Sequence, residues 1–141
     1  MKRWITFLLF VFALNFAWEM MQANWFASMR DLPVLRATVL CFRAALGDLV
    51  IAAVAFAITA LVARAVKWPM ERRVLVPAIV FVAVGLAITI TYEVFALSGA
   101  RWSYDETMPT LFGIGVLPLL QWLLLPIAEM WLFRLIFRRD P

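Results

Sequence analysis

The chain predicts an all-α membrane protein, a bundle of four antiparallel transmembrane helices, and three features carry that reading. Hydrophobic residues fill 66% of the 141 positions and charged residues only 16%, which is more apolar surface than a soluble domain of this size hides. Four apolar stretches, at about residues 5–25, 40–63, 74–97 and 111–133, each run for about 20 to 24 residues, enough to cross a hydrocarbon core of about 30 Å. Lys and Arg cluster at the ends of those stretches, where long side chains anchor helices at a lipid interface. A single membrane domain therefore spans residues 1–141.

Each element has its own justification. The first stretch begins with Lys2 and Arg3 before an apolar run, as a secretory signal does. Phe16 and Trp18 crowd the nearby alanines and leave no small-x-small cleavage site, so the segment reads as an uncleaved helix. Arg30-Asp31-Leu32-Pro33 closes the first connection, and residues 32–41 are expected to form an interfacial half-turn. Gly47 is expected to let the second helix pack closely on a neighbour. The run VKWPMERR is a tight turn around Pro69 between antiparallel neighbours. Residues 98–110 form the second loop on the opposite side, and Pro118 and Pro126 are expected to interrupt the fourth helix.

Charge placement orients the bundle. Lys2, Arg3, Arg64, Lys67, Arg72, Arg73, Arg134, Arg138 and Arg139 lie on one side, whereas Arg30, Arg36, Arg43 and Arg101 lie on the other. Nine against four puts both termini in the cytoplasm of a bacterial-type inner membrane. The net charge of +4 does not imply a nucleic-acid partner, because the cations sit at helix ends. Membrane lipids are the expected surroundings. One cysteine, Cys41, and no histidine exclude an imidazole metal site and an internal disulfide, so neither metal nor cofactor is expected.

Ionisable residues inside a membrane are costly, and each one needs a reason. On the first helix Asn15, Glu19 and Gln22 share one face. Arg43 and Asp48 follow on the second, Thr89, Tyr92 and Glu93 on the third, and Gln121 on the fourth. The topology brings these groups to one depth in the outer half of the membrane, beneath a lid formed by Arg101, Trp102, Tyr104, Asp105 and Glu106. Packing alone would read the Asn15 stripe as glue between helices and Asp48 as the partner of Arg43 or Arg101. A carboxylic acid in an apolar cavity is also a proton donor, which assigns catalysis to Glu19 with Glu93 or Asp48 assisting. Asn15, Trp18, Gln22, Arg43, Tyr92, Arg101, Trp102, Tyr104, Gln121 and Trp122 would bind the substrate. Glu129, by contrast, is expected near the cytoplasmic end in a salt bridge with Arg134. Trp4, Trp25, Trp68, Trp102 and Trp131 are read mainly as interfacial anchors.

The run from Tyr92 to Leu124 resembles the membrane-embedded lycopene cyclase domain family of carotenoid biosynthesis. The resemblance rests on Glu93, Trp102-Ser-Tyr104, Gly113-Ile114 and Leu117-Pro118-Leu119 in that order. Gly99 stands one residue further from Trp102 than in that family, and Leu120 and Gln121 occupy the places of its paired carboxylates. Asn15-x-x-Trp18-Glu19 is similar to the Asn-x-x-Trp-Glu stretch of integral membrane terpene cyclases, which implies a catalytic role for Glu19. Together these likenesses imply an isoprenoid or carotenoid-type hydrophobic substrate and cyclase-like isomerase or lyase chemistry. Two other readings stand beside the enzyme. One is a proton-coupled exporter of hydrophobic cations, similar in size to the small multidrug resistance transporters. The other is a non-catalytic partner within a membrane complex. Four helices enclose little space, so homo- or hetero-oligomerisation fits all three.

Overall fold

The apolar runs fold as helices. The computed structural model describes residues 2–138; Arg139, counted above among the cations of one side, lies outside them. Helix α1 spans Lys2–Gln22, a short α2 spans Ala27–Arg30, and α3 spans Val34–Ala63. Helix α4 spans Leu75–Ser98 and α5 spans Val116–Phe137. The four long helices are all long and apolar enough to cross a membrane. In the ring they form, α1 packs on α3 and α5, and α4 packs on the same two. Chain direction makes every neighbouring pair antiparallel. Both termini and residues 64–74 lie at one end, here the termini end, and the two longer connections lie at the other, the loop end.

Outward faces are mainly apolar. Leu9, Val50, Leu61, Leu75 and Ile127 are all more than half exposed, which costs little in lipid but would be unfavourable in water. The termini end is filled by aromatic rings. Phe7 meets Phe133 edge-on at 5.2 Å between centroids, and Trp68 meets Phe56 at 5.7 Å and Phe81 at 5.6 Å. Trp68, read from sequence as an interfacial anchor, is fully buried here, because the 3-10 turn Trp68–Met70 folds up beneath the bundle. Trp131 does face outward, at 64% exposure.

Several boundaries differ from the sequence expectation. Helix α3 begins at Val34 rather than near residue 40, so most of the expected half-turn is its first two turns. Pro33 at the N-cap ends the preceding chain, and no helix breaker follows it. At its other end Arg64 adopts the left-handed conformation and the Ala65 amide reaches back to Ala60 O, a Schellman-type stop. The fourth helix begins at Val116 rather than Leu111, because Thr110–Leu111 and Ile114–Gly115 form a small hairpin. Its two turn residues, Phe112 and Gly113, have φ values of 51° and 81°, the pair of positive angles that a type I′ turn needs.

That late start also corrects the expectation for Pro118. It sits in the first turn of α5, where its missing N–H breaks nothing; only Pro126 lies inside the helix. Gly47 meets no neighbour within 4 Å of a built Cβ, so it is not the close-packing glycine. Gly85 of α4 has that role, since a Cβ there would lie 2.0 Å from the Trp122 ring.

Candidate functional site

Three helices meet at one polar seam. Glu19 of α1 and Asp48 of α3 bring their carboxyl groups within hydrogen-bond reach. Two carboxyls in that contact need a proton between them. Gln22 Nε2 donates to Glu19 Oε1 at 2.7 Å, and Trp18 Nε1 donates to Gln22 Oε1 at 3.2 Å. The i, i+3 and i, i+4 spacing on α1 puts these groups on one face.

Gln121 of α5 joins the seam from the other side. Its Nε2 donates both to Asp48 Oδ2 and to Asn15 Oδ1, each at 2.9 Å. Asn15 uses its own amide hydrogens elsewhere, on Val11 O at 2.9 Å and on Glu129 Oε1 at 3.0 Å. Two hydrogen-bonded runs, Trp18–Gln22–Glu19 and Asp48–Gln121–Asn15–Glu129, thus come together where the Glu19 and Asp48 carboxyls approach. The arrangement also gives residue 121 a reason to be a glutamine. Both of its neighbours present acceptors, which an NH2 group serves with two protons and a carboxylic acid with only one.

Glu93 of α4 completes the acidic set. It is buried and close enough to Glu19 and Asp48 for their charges to interact. The lid holds it. Trp102 Nε1 donates to Glu93 Oε2 at 3.3 Å, and the Tyr104 hydroxyl donates to the same oxygen. Burial, reinforced by that hydrogen bond, pushes the Tyr104 phenol well above its ordinary range.

The lid itself is zipped to the first connection. Ala27 N donates to Ser103 O at 3.0 Å, Asp105 N donates to Trp25 O at 2.8 Å, and Phe26 and Tyr104 form an antiparallel bridge. Asp105 accepts from the Thr107 hydroxyl at 2.7 Å and pairs with Arg30 at 2.8 Å. The Thr107 hydrogen bonds first, and the Arg30 charge with them, hold the Asp105 carboxyl below the ordinary carboxylate range.

Four sequence assignments do not join the cluster. Arg101 is exposed and lies over the Phe95 ring at 4.5 Å, because the lid turns it outward. Arg43 is exposed on α3, so Asp48 takes Gln121 rather than a cation. Tyr92 is half exposed and packs on Trp102 instead of facing the acids. Trp122 is buried against Gly85, Phe81 and the aromatic core, deeper than the carboxyls. Its indole N–H has no partner among the described residues.

Glu129 is the residue that sequence reasoning misplaced. It is 5% exposed and bonded to Asn15, whereas Arg134 Nε donates to Pro69 O at 2.6 Å. The available signal was helical: Trp122, Glu129 and Phe133 recur on the buried face of α5.

Glu19 and Asp48 therefore meet inside the bundle, with Glu93 near them and Glu129 reached through Asn15, and none of the four pairs with Lys or Arg among the described residues. Amides, an indole and a phenol surround them instead. Such a set donates, accepts and passes protons; no group of three or more metal-ligating side chains forms among the described residues. No protein-family model, curated protein or solved structure matches the chain.

Proposed function

We propose that the protein is a membrane enzyme, or the subunit of one, that acts on a lipid-soluble isoprenoid-type substrate by carboxyl acid–base chemistry. The observation that supports this is the contact of Glu19 with Asp48 across the α1–α3 seam, free of any cation among the described residues. Both residues keep some exposure, and in this reading a substrate in the lipid reaches them between the helices. Glu19 then gives the proton that it shares with Asp48 to a substrate double bond, and the carbocation, once it has cyclised or isomerised, returns a proton from a neighbouring carbon to the carboxylate pair. Gln121 and Gln22 orient the pair, and Glu93 under its Trp102–Tyr104 clamp balances the charge that develops. The excess of Lys and Arg at the termini end supports an orientation with both termini in the cytoplasm, which places this chemistry in the outer half of the inner membrane.

Expression in a host that makes lycopene and polyprenyl lipids, with extracts profiled for new products, tests the reading. New products are expected from the wild type and should vanish with Glu19→Gln or Asp48→Asn. Unchanged extracts across a broad substrate panel would sink it. Buried carboxyls without a cation partner among the described residues also suit a second reading, a proton-coupled transporter of hydrophobic compounds. That reading requires a resistance or flux phenotype that Glu19→Gln abolishes.

A further inference from the structure

Below the polar seam lies an apolar cavity of about 170 Å³. Trp4, Phe7, Phe56 and Phe133 line it, and Glu129 is the carboxyl in its wall. Leu8 of α1 and Ala53 of α3, both exposed, are also among its lining residues, so the cavity opens outward where those two helices pack. The volume slightly exceeds the roughly 150 Å³ of an apolar protein cavity that takes benzene.

The carboxyl in its wall selects the occupant. Glu129 Oε1 accepts from Asn15, while no hydrogen bond to Oε2 is formed among the described residues. A side chain 95% buried thus keeps one acceptor oxygen beside an apolar void. Aromatic faces at that void attract a cation through their quadrupoles, and a buried carboxylate gains most from a partner of opposite charge.

We infer that this cavity binds a hydrophobic ammonium ion, with an apolar body about one ring in size among the aromatic faces and its N–H donated to Glu129 Oε2. The ligand enters from the lipid between Leu8 and Ala53. This site is distinct from the Glu19–Asp48 seam, and it holds whether or not that seam is catalytic.

Fluorine NMR on the purified full-length protein in detergent micelles tests it, with para-fluorophenethylammonium as probe and para-fluorophenethyl alcohol as its neutral counterpart. The ammonium should bind saturably and the alcohol about tenfold more weakly or not at all, the scale of a charge-assisted hydrogen bond. Glu129→Gln keeps an oxygen for Asn15 and should weaken ammonium binding about tenfold. Ala53→Phe, placed at an exposed lining position, should block both probes without unfolding the bundle. Glu19→Gln should leave binding intact, which separates this site from the proposed catalysis. Equal affinity for alcohol and ammonium would overturn the inference, and so would a Glu129→Gln protein that binds as the wild type does. Should Glu129→Gln fail to fold, full ammonium binding by Ala53→Phe would overturn it as well.

Discussion

Replacing Gln121 with leucine removes the group that joins α5 to both α1 and α3. The side chain is 4% exposed, and its Nε2 makes both the Asp48 and the Asn15 hydrogen bonds. Hydrogen bonds between membrane helices average about 0.6 kcal/mol and reach about 1.7 kcal/mol. Two such bonds make the expected loss about 1 to 3 kcal/mol for Gln121→Leu. Gln121→Glu should do no better, since one proton cannot serve two acceptors and an ionised carboxylate would face Asp48 directly. Unfolding in mixed micelles, followed by far-ultraviolet dichroism, measures both variants against Leu124→Ala on the lipid-facing surface. A double-mutant cycle with Asn15→Leu should give a coupling of about 0.6 kcal/mol or more. If Gln121→Leu matches wild-type stability, or the cycle shows strict additivity, the seam is not held together as described.

Other outcomes follow from the same geometry. Gly85→Ala places a methyl group 2.0 Å from the Trp122 ring and should destabilise by about 1 to 3 kcal/mol; pairing it with Trp122→Leu should recover part of the loss in the same unfolding assay. Because the folded Tyr104 phenol titrates above its ordinary value of 10.0, its contribution to stability is complete below that pH and falls as the pH rises beyond it. Tyr104→Phe should remove that alkaline dependence in thermal melts, and with it the hydroxyl that holds Glu93. Asp105 behaves in the opposite sense. Its depressed titration stabilises the lid above the ordinary value of 3.8 and loses that effect as the pH falls further. Hydrogen exchange at the Ala27 and Asp105 amides should therefore accelerate in strong acid, and Asp105→Asn should blunt the effect.

Much of this was legible in the residue order. Twenty-residue apolar runs admit little besides membrane-crossing helices, and short connections force neighbouring helices to run antiparallel. Polar residues placed near the same end of such helices must then meet, as Asn15, Glu19, Asp48, Glu93 and Gln121 do. What the order concealed was rotation about each helix axis. Arg43 and Asp48 stand five apart on α3, and only the packed bundle decides which turns inward. Glu129 was judged by its nearness to Arg134, yet its place on the Trp122–Phe133 face governs its burial. Trp68 was judged by its place in a charged turn, although the turn folds under the helices. Within the helices, phase rather than distance along the chain decides what is buried.

The closing of the ring by α5 also bears on how the chain assembles. Asp48 and the Asn15 side-chain carbonyl take their amide donor from Gln121, and Asn15 in turn donates to Glu129. The polar groups of α1 and α3 are therefore satisfied together, when α5 docks, so that the seam forms only as the ring closes.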